Sequence, residues 1–186
     1  VAGHGVRAAF VTGILKAIIY SEYVRPMIGK DFSPGAFLGW LNDRMNFELR
    51  SASGLIITFF AGVLDKKTKS LRYASAGQTH PFVLGPGGAV ELVAPGFGIG
   101  FADSADYPER KAELADGDVL TLYTDGLIEP GASGGSVPVD PLKLFAGVEY
   151  GQDYHNRLMA AALAESGSEG FDDDVTLVSA LVGQSR

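Results

Sequence analysis

The period of the apolar residues changes once along this chain, between Leu49 and Leu55, and that change limits what it can fold into. Before it, Val6, Phe10, Ile14 and Ile18 recur at four-residue spacing, with Ala9, Gly13 and Ala17 as a small-residue stripe beside them. The spacing predicts a helix over about residues 5 to 22, and the stripe would let it approach a neighbour closely. A second helix is expected from Ser33-Pro34, because Ser caps helix N-termini and Pro is favoured at the first helical position. Phe37, Leu41, Met45 and Leu49 give it one apolar face.

After the change the chain reads as strands. Leu55 to Leu64 is almost wholly apolar, closes on Asp65 to Lys69, and is answered by Leu71 to Ala74, a hairpin with a charged turn. Pro81 to Leu84, the turn Gly85 to Gly88, and Ala89 to Val93 make another. A glycine-rich connector, Pro95 to Gly100, leads to a strand near Tyr107 to Leu114, and Asp116-Gly117-Asp118 turns it into a strand over Val119 to Thr124. Several of these strands are apolar on consecutive residues, as strands covered on both faces are. Pro130 to Pro138 reads as a surface loop, Pro141 to Ala146 as a short helical turn, and Tyr154 to Glu165 as a helix stopped at Gly167 to Gly170. Asp172 to Asp174 then steps onto a last strand through Leu181. We expect one α+β domain spanning residues 1–186, with no internal repeat.

Composition excludes several classes. There is no cysteine, which removes disulfides and thiolate metal sites. A net charge of −7 argues against nucleic acid, which needs a basic stripe to neutralise phosphates. No apolar run reaches the roughly 20 residues of a membrane span. We therefore expect neither a nucleic-acid partner nor membrane contact by this domain, and a cytoplasmic setting. Val1 opens in mid-motif, so the chain reads as the C-terminal part of a longer protein.

Chemistry concentrates at three places. Leu120 to Glu129 runs from an apolar strand straight into Asp125-Gly126. Asp-Gly between apolar runs signals a hairpin turn in which both residues tolerate positive φ. A rigid strand end is also a good place from which to aim a carboxylate at a metal. Asp172 to Asp174 repeats the arrangement at the start of the last strand. Alone, it could be a solvated guard of an aggregation-prone strand. If the two strands are neighbours, Asp125 and Asp173 can converge on one cation, and oxygen-only ligands favour Mg²⁺ or Mn²⁺ over Zn²⁺. Gly3-His4-Gly5 precedes the first helix without a phosphate-loop fingerprint. His80 and His155 have no metal-ligand spacing to each other or to His4.

Taken together and in order, Val1-Ala-Gly-His-Gly-Val-Arg-Ala-Ala9, Tyr123-Thr-Asp-Gly-Leu-Ile-Glu129 and Asp173-Asp-Val-Thr-Leu-Val178 resemble one family. It is the bacterial branch of the metal-dependent (PPM-type) protein phosphatases, the stage II sporulation protein E and RsbU-like group related to protein phosphatase 2C. Phe59 to Asp65, Leu71 to Gly77 and Asp116 to Leu120 resemble it too, so the likeness spans nearly the whole chain.

The resemblance implies an α-β-β-α sandwich of two antiparallel sheets flanked by helices, here without its first strands. It implies hydrolysis of phosphoserine or phosphothreonine by a water bridging two Mn²⁺ or Mg²⁺ ions, which lower the pKa of that water. It makes Asp125 and Asp173 catalytic metal ligands, with Asp174 a weaker candidate, and Val1 a ligand through its backbone carbonyl. Gly3 and Gly5 match turn glycines, and His4 matches the group's usual residue without an assigned role. The bridging Asp expected immediately before Val1 lies outside the sequence. Ala76 to Pro81 departs from the group's usual Ala-Gly-His and implies altered loop packing.

The implied partner is a phosphorylated protein such as an anti-sigma-factor antagonist, with a sensor or receiver domain upstream. A catalytically incomplete phosphatase-fold module that binds a partner or phosphopeptide is the alternative, since fold does not fix function. A plain structural domain with turn aspartates is a third reading.

Overall fold

A computed structural model of the chain describes residues 6–48, 56–129 and 137–183. Val1, Gly3, His4, Gly5, Leu49 and residues 130–136 of the expected surface loop lie outside the described residues. The chain divides into two units, Val1–Gln78 with Ala94–Glu113, and Thr79–Val93 with Leu114–Arg186. Each unit carries one antiparallel sheet with helices against it, the expected α+β class.

In the first unit α1 (Val6–Ile18) runs on through a π-helical stretch, Ile19–Val24, into a last turn α2 (Arg25–Met27). Its buried face is one residue out of phase with the expected one. Leu15 is buried, and Val11, Ile19 and Tyr23 pack beside it, while Gly13 and Ala17 face solvent. The expected small-residue approach does not occur at Gly13, where a side chain would meet open space. Both stripes share the same four-residue period. The phase is decided by Tyr23, whose ring packs on Phe32, Phe37 and Trp40.

Helix α3 (Pro34–Glu48) starts where the Ser-Pro pair predicts, and the Ser33 hydroxyl accepts from Ala36 N at 3.1 Å. Phe37, Leu38, Leu41 and Met45 are buried. They join Ala61, Ala74 and Ala76 in one apolar cluster, so small residues on the strands make room for the helix. The strands are β1 (Phe59–Asp65), β2 (Ser70–Ala76) and β5 (Arg110–Glu113), in the order β1-β2-β5. The charged turn of the β1–β2 hairpin is held by Asp65 Oδ1, which accepts from Lys67 N and Thr68 N at 2.8 and 3.1 Å.

In the second unit β3 (Phe82–Gly85), β4 (Gly88–Glu91), β6 (Val119–Tyr123) and β7 (Leu177–Leu181) take the order β4-β3-β6-β7. The turn at Asp116 to Asp118 is present, with Ala115 N donating to Asp118 Oδ2 at 2.7 Å. It joins strands of different sheets, since β5 pairs with β2 while β6 pairs with β3 and β7. Consecutive apolar residues are indeed covered on both faces: Val119, Leu120, Thr121 and Tyr123 of β6 are all buried. One face lies on α4 (Pro141–Gly147) and α5 (Tyr154–Ser166), with Phe145, Leu158 and Ala162 packed against Phe82, Val119 and Tyr123. Asp140 caps α4 from just before Pro141, and Gly167 ends α5 at φ +73°.

Candidate metal centre at the tips of two neighbouring strands

Strands β6 and β7 are antiparallel neighbours, paired from Val119 with Leu181 to Tyr123 with Leu177. The end of β6 and the approach to β7 therefore meet at one edge of the sheet. Beyond the last pair the backbones stay joined, with Thr124 N donating to Thr176 O at 3.1 Å. The Thr124 hydroxyl donates to Asp174 O at 3.1 Å and accepts from Thr176 N at 2.9 Å. One side chain thus ties the segment bearing Asp173 and Asp174 to the residue before Asp125.

Asp125 does not open a hairpin turn. It begins a single 3₁₀ turn, Asp125–Leu127, from an extended Thr124. Its carbonyl accepts from Ile128 N and Glu129 N at 2.9 and 3.0 Å. Leu127 is fully buried and anchors the turn. Gly126 is needed for close approach, not for positive φ. A Cβ there would stand 2.8 Å from the carbonyl oxygen of Asp174 and 3.2 Å from that of Asp173, distances at which something must move. The two Asp-bearing segments touch through backbone because residue 126 has no side chain.

Asp125, Asp173 and Asp174 are all exposed. Asp125 Oδ1 accepts from Gly126 N at 3.1 Å, and Asp173 Oδ1 accepts from Asp174 N at 2.8 Å. Each carboxylate is therefore oriented by its own following amide and faces outward. Behind them Tyr123 is buried against Phe82 and Phe145, and burial, reinforced by the charge of Glu91, pushes its phenol up to about 12. The Thr79 hydroxyl donates to Tyr123 O at 2.6 Å, fastening that residue to the end of β6.

His80 and His155 are engaged elsewhere, with Glu91 Oε1 and Ser179 Oγ respectively, each at 2.9 Å. The positioning residues Thr124 and Thr79 were not singled out by sequence reasoning, and Gly126 was singled out only as a turn residue. Thr124 directly precedes Asp125 and Thr176 stands two residues after Asp174, which was the available signal.

In kind, these donors fit a hard divalent ion, being oxygens only. In number they are short of a complete site: among the described residues no group of three or more His, Asp or Glu could hold a metal.

A model of the Stage II sporulation protein E (SpoIIE) family matches residues 1–182. The chain belongs to the SpoIIE family. Its fold recurs in the SiaA-PP2C domain of Pseudomonas aeruginosa, at a TM-score of 0.73 and 24% identity over 97% of this chain and 72% of that one. The RsbU and RsbW domains of a Mycobacterium tuberculosis protein match at 0.67 and 24%, over 96% of this chain. This chain spans only 49% of that structure's length. The phosphatase domain of SpoIIE from Bacillus subtilis matches at 0.57 and 18%, over 100% of this chain and 76% of that one. At these identities the structural likeness establishes the fold, that of PP2C-like phosphatase domains. No described helix is long and apolar enough to cross a membrane.

Proposed function

We propose that this SpoIIE-family chain is the C-terminal part of a single PPM-type domain that hydrolyses phosphoserine or phosphothreonine in a protein substrate, using Mn²⁺ or Mg²⁺. The observation that carries the reading is the joining of Asp125 and Asp173 at one sheet edge by β6–β7 pairing and the Thr124 hydroxyl. In this reading Asp125 and Asp173 each give a carboxylate to the metal centre, and Val1 gives its carbonyl. Two such ions, when bound, would supply an activated water and neutralise charge on the phosphoryl group. The chain's own task is to hold both carboxylates at the adjoining ends of β6 and β7, with Gly126 and Thr124 setting their spacing.

The further bridging Asp is proposed to precede Val1. A phosphorylated anti-sigma-factor antagonist suits the substrate role, an upstream sensor or receiver domain the regulatory one, and the cytoplasm the setting.

The test is Mn²⁺-dependent phosphate release by the intact protein from a phosphoserine protein and from an aryl phosphate. Asp125→Ala and Asp173→Ala should each abolish turnover and leave the circular dichroism spectrum unchanged. Full turnover in both variants would sink the site assignment. A second reading, a catalytically incomplete module that binds a partner or phosphopeptide, is favoured by the short ligand count among the described residues. It predicts phosphopeptide binding with no phosphate release at any Mn²⁺ concentration.

A further inference from the structure

Two phenylalanine rings stand in solvent on the glycine-rich connector, and both are held there. Phe97 and Phe101 remain 63% and 59% exposed while stacking on each other, with centroids 5.0 Å apart and planes 15° from parallel. Between them Ile99 is fully buried and exchanges two backbone bonds with Ile57, at 2.8 and 3.0 Å. Phe101 N donates to Gly98 O at 3.1 Å and closes the turn. A lone exposed apolar side chain is ordinary, whereas a contiguous exposed patch calls for a reason.

The turn is clamped from α3. Asn42 is fully buried, and its side chain accepts from Gly100 N at 3.0 Å and donates to Ala102 O at 3.1 Å. Asn46, one helical turn on, donates to the same carbonyl at 2.8 Å. Two glycines let the connector lie close against its neighbours: a Cβ at Gly96 would collide with Ser75 O, and one at Gly98 with the Ile56 side chain. None of these contacts covers the rings. A loop ordered before binding spares an association the entropy of ordering it, and aromatic side chains held in place are common anchors of protein interfaces.

Charge selects the partner. Asp103 and Asp106 follow two and five residues beyond Phe101, both exposed and neither with an ion-pair partner among the described residues. They oppose an anionic membrane surface or nucleic acid, and a second copy of the chain would bring like charges together. A guanidinium suits both features, since it is drawn to aromatic faces and meets a carboxylate with its planar fork. We propose that the Phe97–Phe101 pair anchors a docking surface for a protein partner whose contacting segment presents an arginine beside an aliphatic side chain. The guanidinium stacks on a ring and pairs with Asp103 or Asp106, and the aliphatic side chain covers the remaining ring surface. Such a surface serves a phosphatase or a binding module alike.

The experiment selects peptides that bind the full chain from a random display library and measures their affinity by calorimetry. Enriched peptides should carry arginine within a few residues of leucine, isoleucine, valine or methionine. Phe97→Ala and Phe101→Ala should each weaken binding about tenfold or more, with little change in melting temperature, since both rings are exposed. Asp103→Asn combined with Asp106→Asn should weaken it less and flatten its salt dependence. Lysine in place of the peptide arginine should also weaken it, lacking the planar fork. The proposal is overturned if no peptide is enriched, if enriched peptides are acidic or lack arginine, or if affinity survives both phenylalanine substitutions. It is equally overturned if the two rings are needed for binding to phosphatidylserine vesicles or for self-association in sedimentation, and not for peptide binding.

Discussion

Strands β6 and β7 lie side by side and lead to the two aspartates of the candidate centre, yet they are held by opposite means. Four of the five residues of β6 are buried, and its flanks are two other strands and a bed of aromatic and aliphatic side chains from α4 and α5. No residue of β7 is fully buried, and Val178 and Leu181 are more than half exposed. Asp125 therefore inherits its position from packing. Asp173 depends more on the hydrogen bonds of Thr124 and on the missing Cβ of Gly126, since its neighbours Phe171, Val175 and Leu177 are only partly buried against the same cluster. A centre built this way has one fixed jaw and one tied to it. Packing resists displacement through many small contacts, whereas the tie rests on a few polar ones.

The largest effect should come from breaking the bed beneath β6. Phe145→Ala removes a fully buried ring stacked on Phe82 at 4.5 Å. It should cost about 3–5 kcal/mol, read as a lowered urea midpoint. Gly126→Val comes next. Its side chain meets the Asp174 carbonyl, and overpacking of this kind costs about 1–3 kcal/mol. Phosphate release should fall far more than stability does, because the substitution separates the jaws without disturbing the core. Equal losses of both would mean that the tip is merely structural.

Thr124→Val tests the tie alone. It removes two hydrogen bonds at roughly 1 kcal/mol each. Hydrogen exchange at the Thr176 amide should quicken while the β6 amides keep their protection. Quickening throughout β6 would show that the two strands share one support after all. Val178→Thr, on the exposed side of β7, should change stability by no more than about 0.5 kcal/mol. A larger loss would show that this face of β7 is covered in the intact protein.

Much of the fold was legible because its signals are local. Ser33-Pro34, Pro141 and Gly167 mark helix ends through preferences that act within a few residues. The β1–β2 and β3–β4 hairpins follow from two apolar runs and the turn between them. Consecutive apolar residues in β6 announced a strand covered twice. Where the reading failed, the deciding contact lay far away in sequence. The period of α1 was right and its phase wrong, because an aromatic cluster reaching from Tyr23 to Trp40 chose the face. The turn at Asp116 to Asp118 was visible, but not that its two strands enter different sheets.

The Asp125-Gly126 step shows the same division within two residues. By itself the sequence determined that a carboxylate would stand at the end of an apolar strand, beside a residue without a side chain, and that a second acidic step would precede the last strand. It could not say why the glycine was there. Local preference pointed to positive φ, and the structure shows that the space for a Cβ is taken by the Asp174 carbonyl from a segment some fifty residues later. Backbone preference is a property of neighbours in the chain. Close approach is a property of neighbours in space, and only the pairing of β6 with β7 brought those neighbours together.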